Sequence, residues 1–134
     1  VTELNVLYVP PRKPALQIIG ESCDKAEAQG IQLDRGAMFD WTGPDKNVPV
    51  RCTALGAVLW AFDLATSAQA WTHLKTILKV DDAWLYRFSI GWDNRVGLLI
   101  VDHEFKVLGK DTVSHAALSM TKARVRKTPQ EIGL

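Results

Sequence analysis

Apolar residues recur along this chain in distinct rhythms, and the rhythms assign most of its elements. Leu16, Ile19, Cys23 and Ala26 are spaced three, four and three apart, while Glu21, Asp24, Lys25 and Glu27 fill positions between them. That is one face of an amphipathic helix, predicted from Pro14, a favourable first-turn residue, to about Gln29. Gly30 supplies a left-handed stop, and Ile31 can fold back onto the last turn. A second run, Cys52 to Ala65, is apolar nearly all round, with Asp63 its only charge. A helix of that kind belongs at the centre of a fold. Gly56 and Ala57 within it leave room for a neighbouring backbone, at a helix-propensity cost of about 1 kcal/mol for the glycine. Thr66 and Gln69 have the spacing of a capping box that opens a third helix, with Trp71, Leu74 and Leu78 as its inner stripe. A closing helix is predicted from about Asp111 to Lys127, with Val113, Ala117 and Met120 inward.

Two stretches follow neither rhythm cleanly. From Gln32 to Val50, turn chemistry at Gly36, Gly43-Pro44 and Asp45-Lys46-Asn47 predicts an irregular segment. Met38, Phe39 and Trp41 anchor it to the core. From Ala83 to Ile90, Leu85, Phe88 and then Trp92 fit a helix, while Trp84, Tyr86, Phe88 and Ile90 fit strict alternation. The helical reading is favoured, followed by a turn from Gly91 to Gly97. Leu98–Val101 and Phe105–Leu108 can pair as a hairpin around Asp102-His103-Glu104. The expected fold is mainly α: a compact bundle of four to five helices around a buried central helix, with a small β-hairpin near residues 98–108. Residues 1–13 read as an N-terminal arm and spacer, 14–128 as one globular domain, and 129–134 as a frayed tail.

Composition narrows the setting without naming an activity. The chain has 134 residues, 47% apolar and 23% charged, with a formal net charge of +1. No global field draws it to nucleic acid or anionic lipid. It has no apolar run of the length a membrane helix requires, and its first residues lack the apolar stretch of a signal peptide. A cytoplasmic location away from membranes is expected. The two cysteines, Cys23 and Cys52, read as free thiols in a reducing compartment. No cofactor and no metal site are expected, because Asp102, His103, Glu104 and His115 match no zinc spacing.

The oddity is aromatic, with five tryptophans against two tyrosines. Trp and Arg are common hot-spot residues. The candidate ligand-binding residues are therefore Trp41, in the irregular segment, and the tetrapeptide Trp92, Asp93, Asn94 and Arg95. An Asp–Arg pair beside an indole can hold a planar or cationic group, although the same residues equally make a structural turn. The favoured function is an accessory protein that binds a protein or small-molecule partner through aromatic surfaces. One alternative is a small enzyme using Cys52, beside Arg51 at a helix start, or the Asp93/Arg95 turn, with a histidine as general base. Another is a nucleic-acid-associated protein using the basic closing helix (Lys122, Arg124, Arg126, Lys127). Nucleic acid is the less favoured partner, since cations at a helix C-terminus are explained by its dipole alone. A homodimer is also expected to be open to this chain, through Leu98–Val101 or an N-terminal strand.

Cys52, Gly56 and Ala57 at a buried helix, followed by Trp92-Asp93-Asn94 and a closing helix, resemble a family of small actinobacterial and phage proteins. That family carries a Cys-Ala-Leu-Gly-Ala-Leu type helix start and a Trp-Asn-Asp turn. Here the Cys-to-Gly spacing is one residue longer, Asp and Asn are exchanged, and Leu98–Leu108 reads as an insertion. The resemblance implies a helical fold and a mobile-element accessory, and it brings no site residues.

Overall fold

A computed structural model of the chain describes residues 12–125. The expected tail, and all but the last two residues of the expected arm, lie outside them. Among the described residues five helices and two small strand groups surround one apolar core, so the protein is mainly α.

Helix α1 (Lys13–Ala28) buries Ala15, Ile19, Ser22, Cys23 and Ala26, the face its spacing predicts, with Leu16 at the margin. It ends in a Schellman arrangement: Gly30 sits at φ 81°, its N–H donates to the Glu27 carbonyl, and the Ile31 N–H donates to the Ala26 carbonyl. Ile31 is thereby turned into the core.

The stretch expected to be irregular carries a three-stranded ribbon instead. Strands β1 (Gln32–Leu33), β2 (Phe39–Asp40) and β3 (Arg51–Cys52) are each two residues long. β3 lies in the middle, parallel to β1 and antiparallel to β2. Its register sets Cys52 between Leu33 and Phe39, and Arg51 between Gln32 and Asp40. Elements this short leave no periodicity to read. Turn residues between them do the folding: the Asp40 carboxylate accepts from the Thr42 N–H, and that of Asp45 from the Asn47 N–H.

Cys52 therefore precedes the central helix rather than opening it. Thr53 is the N-cap of α2 (Ala54–Ala61), and its hydroxyl accepts from the Gly56 N–H at 3.1 Å. Ala54 through Leu59 are all buried, which makes α2 the expected centre of the fold. The helix is shorter than its apolar run predicts. Asp63 takes a left-handed φ of 59°, and the Leu64 N–H folds back to the Leu59 carbonyl. The capping box at Thr66 and Gln69 does not form. Ser67 takes its place, accepting from the Gln69 N–H at 3.1 Å, and α3 (Ala70–Leu78) starts later. Leu74 and Leu78 face the core, but Trp71 does not; its indole lies on the surface and donates to Asp82.

Helix α4 (Asp82–Asn94) settles the ambiguous segment and runs through the turn expected from Gly91. Asp81 caps it, accepting from the Trp84 N–H. Trp84, Phe88 and Trp92 fall one turn apart and stack, with ring centroids 5.5 and 6.4 Å apart. Strands β4 (Leu99–Val101) and β5 (Val107–Lys110) form the expected hairpin. Helix α5 (Thr112–Arg124) is capped by the buried Asp111 and packs extensively along α4. Gly91 makes that approach possible: a Cβ there would lie 2.1 Å from the Ser114 carbonyl oxygen. Gly56 does the same for α2, where a Cβ would lie 2.3 Å from the Met38 carbonyl oxygen.

Candidate functional site

The residues singled out in the sequence divide between two places. Trp92 is buried as the last ring of the α4 stack, and its indole N–H donates to the Asp34 carbonyl at 2.8 Å. Asp93 accepts from the Gly36 N–H at 3.1 Å. Together they fasten the loop after β1 to the end of α4. Burial pushes the Asp93 carboxyl above its ordinary pKa, against the opposing pull of the Gly36 N–H and of Arg35. The cation that acts on Asp93 in this way is thus Arg35, from the β1–β2 loop. Asn94 is exposed on the last turn of α4, and Arg95 is half-buried at its C-cap with φ 53°. A narrow cleft of about 290 Å³ runs beside this clamp, lined by Gly36, Met38, Leu55, Phe88, Trp92 and Asp93.

Trp41 lines a different and larger groove. It follows β2, stays half-exposed, and packs against Phe39 with centroids 5.3 Å apart. Opposite it stands Trp60, in the last turn of α2, whose indole N–H is held by the Gln29 side chain at 2.7 Å. Between them lies an open groove of about 500 Å³, with Lys46, Asn47, Asp63 and Thr66 on its walls. Two ordered loops shape it. Lys46 reaches back toward the Trp41 carbonyl at 3.5 Å, and Asp63 holds the left-handed turn that ends α2. Trp60 escaped notice in the sequence because it sits in an all-apolar helical run. Its partial exposure follows from where α2 ends, at Ala61, a limit that the apolar run to Ala65 does not mark.

The groups considered for catalysis are placed otherwise. Cys52 is fully buried on β3, and burial pushes its thiol up to about 12. Cys23, on α1, is raised to about 12 for the same reason. Both are free thiols. Thr53, not Cys52, occupies the cap of α2. His73 bonds the Ser67 hydroxyl at 3.0 Å, within a turn whose hydroxyl already serves the Gln69 N–H. His115 points Nδ1 at the Asp111 carbonyl at 2.8 Å, and its ring packs against Gly97. His103 stands exposed at the hairpin tip beside Glu104. Among the described residues no group of three or more His, Cys, Asp or Glu could hold a metal ion, and no helix is long and apolar enough to cross a membrane. In the closing helix, Arg124 is engaged within the fold, binding Asp24 at 2.8 Å and Glu27 at 3.1 Å across to α1.

The class that fold and site define is a small helical domain with a ribbon-edged aromatic groove. Compared with protein-family models, curated proteins and solved structures, the chain matches none of them.

Proposed function

We propose that the protein is a binding module whose ligand lies in the groove between Trp41 and Trp60. The observation that carries this reading is the convergence of two half-buried indoles on one open groove with a lysine, a carboxylate and two neutral polar side chains on its walls. Indole faces supply apolar contact with little side-chain entropy to lose, and the polar rim orients what they hold. An open groove walled by two indoles suits one ring-sized group or one large side chain of a partner protein. The role is that of an accessory protein, without a catalytic step.

Tryptophan labelling with 5-fluorotryptophan gives five resonances, assignable by single Trp→Phe variants. The probes are a panel of methyl glycosides, aromatic amines and short aromatic peptides. A ligand of this groove moves the Trp41 and Trp60 resonances together and leaves that of Trp92 in place. If no probe moves them, or if the Trp92 resonance leads, the groove is not the binding site.

A further inference from the structure

The walls of the Trp41–Trp60 groove combine apolar faces with balanced charge. Lys46, Asn47, Asp63 and Thr66 line it beside the two indoles. One cation and one anion leave no net pull on an ion: an anionic ligand meets Asp63, and a cationic one meets Lys46. Such walls suit a neutral group rich in hydrogen-bonding atoms. The ammonium only donates, the carboxylate only accepts, and the Asn47 amide and Thr66 hydroxyl do both.

The indoles offer apolar surface. The Trp60 N–H is already satisfied by the Gln29 side chain at 2.7 Å, so what remains for the groove is the ring itself. The Trp41 ring is supported by Phe39, tilted 36° to it.

Asp63 is placed by its backbone and not by its side chain. It occupies the left-handed turn that ends α2, with φ 59°. Its N–H donates to the Trp60 carbonyl at 3.2 Å, and the Leu64 N–H donates to the Leu59 carbonyl at 2.8 Å. Main-chain groups thus close the helix, at a position that glycine fills most easily. The Asp63 carboxylate has no hydrogen bond or ion pair among the described residues. A charged acceptor without an internal partner therefore stands three residues beyond Trp60, on the wall of the same groove.

On the footing that this groove is a binding site, we infer that it takes one neutral pyranose unit of a glycan, anchored through its hydroxyl groups by Asp63. A pyranose carries C–H bonds on its faces and hydroxyl groups on its rim. The C–H face lies on an indole. Two neighbouring hydroxyls donate to the two oxygens of the Asp63 carboxylate, and Lys46 donates to a hydroxyl oxygen. A hydroxyl that accepts from a cation while donating to an anion is strengthened at both ends. An aromatic amine would satisfy the indoles and Asp63 but set a second cation against Lys46. An apolar side chain of a partner protein would leave all four polar groups unused. The groove is open, so the neighbours of the bound unit in a longer glycan can run out into solvent.

The test titrates the 5-fluorotryptophan protein with the methyl glycosides of glucose, galactose, mannose, N-acetylglucosamine and xylose, and separately with phenethylamine and free phenylalanine. At least one glycoside should shift the Trp41 and Trp60 resonances together, with a Kd on the order of millimolar for a ligand of this size. Because the ligand is neutral, that Kd should change less than about twofold between low and high salt. Asp63→Gly should weaken binding at least about tenfold through loss of charge-assisted hydrogen bonds, while its Tm stays at or above that of wild type, since the left-handed φ suits glycine. Asp63→Asn keeps an acceptor and tolerates the same φ but loses the charge. It should also weaken binding, and it decides the role of the carboxylate should the glycine variant be less stable. If phenethylamine or phenylalanine shifts both resonances and no glycoside does, the sugar assignment is wrong while the groove remains a binding site. If nothing shifts them, both fall. A glycoside that binds the two Asp63 variants as tightly as wild type overturns the role given to Asp63.

Discussion

Substituting Gly91 by alanine tests the closest helix contact in the fold. A Cβ at this position would lie 2.1 Å from the Ser114 oxygen, 2.9 Å from its carbonyl carbon and 2.8 Å from the Ala117 Cβ. Two of these atoms belong to the α5 backbone and cannot rotate away. Ordinary contact would require α4 and α5 to separate by about 1 Å, loosening packing that forfeits much of its dispersion energy over such a gap. Overpacking of this kind costs about 1–3 kcal/mol or more, while replacing a helical glycine by alanine returns about 1 kcal/mol. Since the clash is with main chain, the upper part of the range applies, and a net loss of about 2 kcal/mol is expected. For a domain of this size that lowers Tm by about 8 °C. Gly20 supplies the control. It too is helical, but the atom nearest a Cβ there is the end of the Arg124 side chain at 3.8 Å. Gly20→Ala should therefore raise stability, by about 0.5–1 kcal/mol. Urea and thermal unfolding of both variants measure the pair. A Gly91→Ala protein as stable as wild type would refute the close approach of α4 and α5, and a Gly20→Ala protein that loses stability would show that propensity is not what separates them.

Four further outcomes follow from the same geometry. With both thiol pKa values near 12, the thiolate fraction at pH 8 is about a thousandfold below that of an ordinary cysteine, so Ellman's reagent should titrate two thiols only after denaturation; rapid native labelling of Cys52 would revive the enzyme reading. Asp93 has a raised folded pKa, so its contribution to stability is full below about pH 4 and declines as pH rises through the folded value. Asp93→Asn, which keeps an oxygen for the Gly36 N–H, should exceed wild type in Tm at pH 7 and match it near pH 3; equal curves at both pH values would contradict this. Trp92→Phe leaves the Asp34 carbonyl without its donor and should cost about 2 kcal/mol, whereas Trp84→Phe removes a buried indole N–H that has no partner and should cost about half as much; a reversed order in urea melts would count against the assigned bonds. Arg124→Ala should lose about 1 kcal/mol in low salt and less in high salt, because it releases two partly exposed ion pairs to α1.

The helices were legible where burial is one-sided or complete. The three-four-three spacing on α1 found its inner face, and the all-apolar run found α2, because both patterns reflect the core directly. Helix limits were less legible, since caps compete locally. Thr53 and Ser67 each took a role that spacing had offered to another residue, moving the starts of α2 and α3. The ribbon of β1, β2 and β3 could not be read at all. Two-residue strands have no period, and the parallel pairing of Gln32 with Arg51 joins residues far apart in the chain. Gly91 misled in an instructive way. A glycine followed by Asp and Asn has turn chemistry, but here it is spent on interhelical approach, and the turn waits until Arg95.

The tryptophans show what composition can and cannot say about a site. Their excess suggested binding surfaces, yet Trp84 and Trp92 are helix-spaced with Phe88 and serve the core. Spacing of four on one helix face places rings over one another, and stacked rings shield each other from solvent. Trp41 and Trp60 have no such relation in sequence. They come from a loop and a helix end, and only the fold of the β2–β3 connection against α2 sets them across one groove. A tryptophan at helical period with other aromatics is thus better read as core, and one off that period, in a loop or near a helix end, as a candidate wall of a groove. By that criterion Trp92 belongs to the scaffold and Trp41 to the groove, although the same aromatic excess had put them in one class.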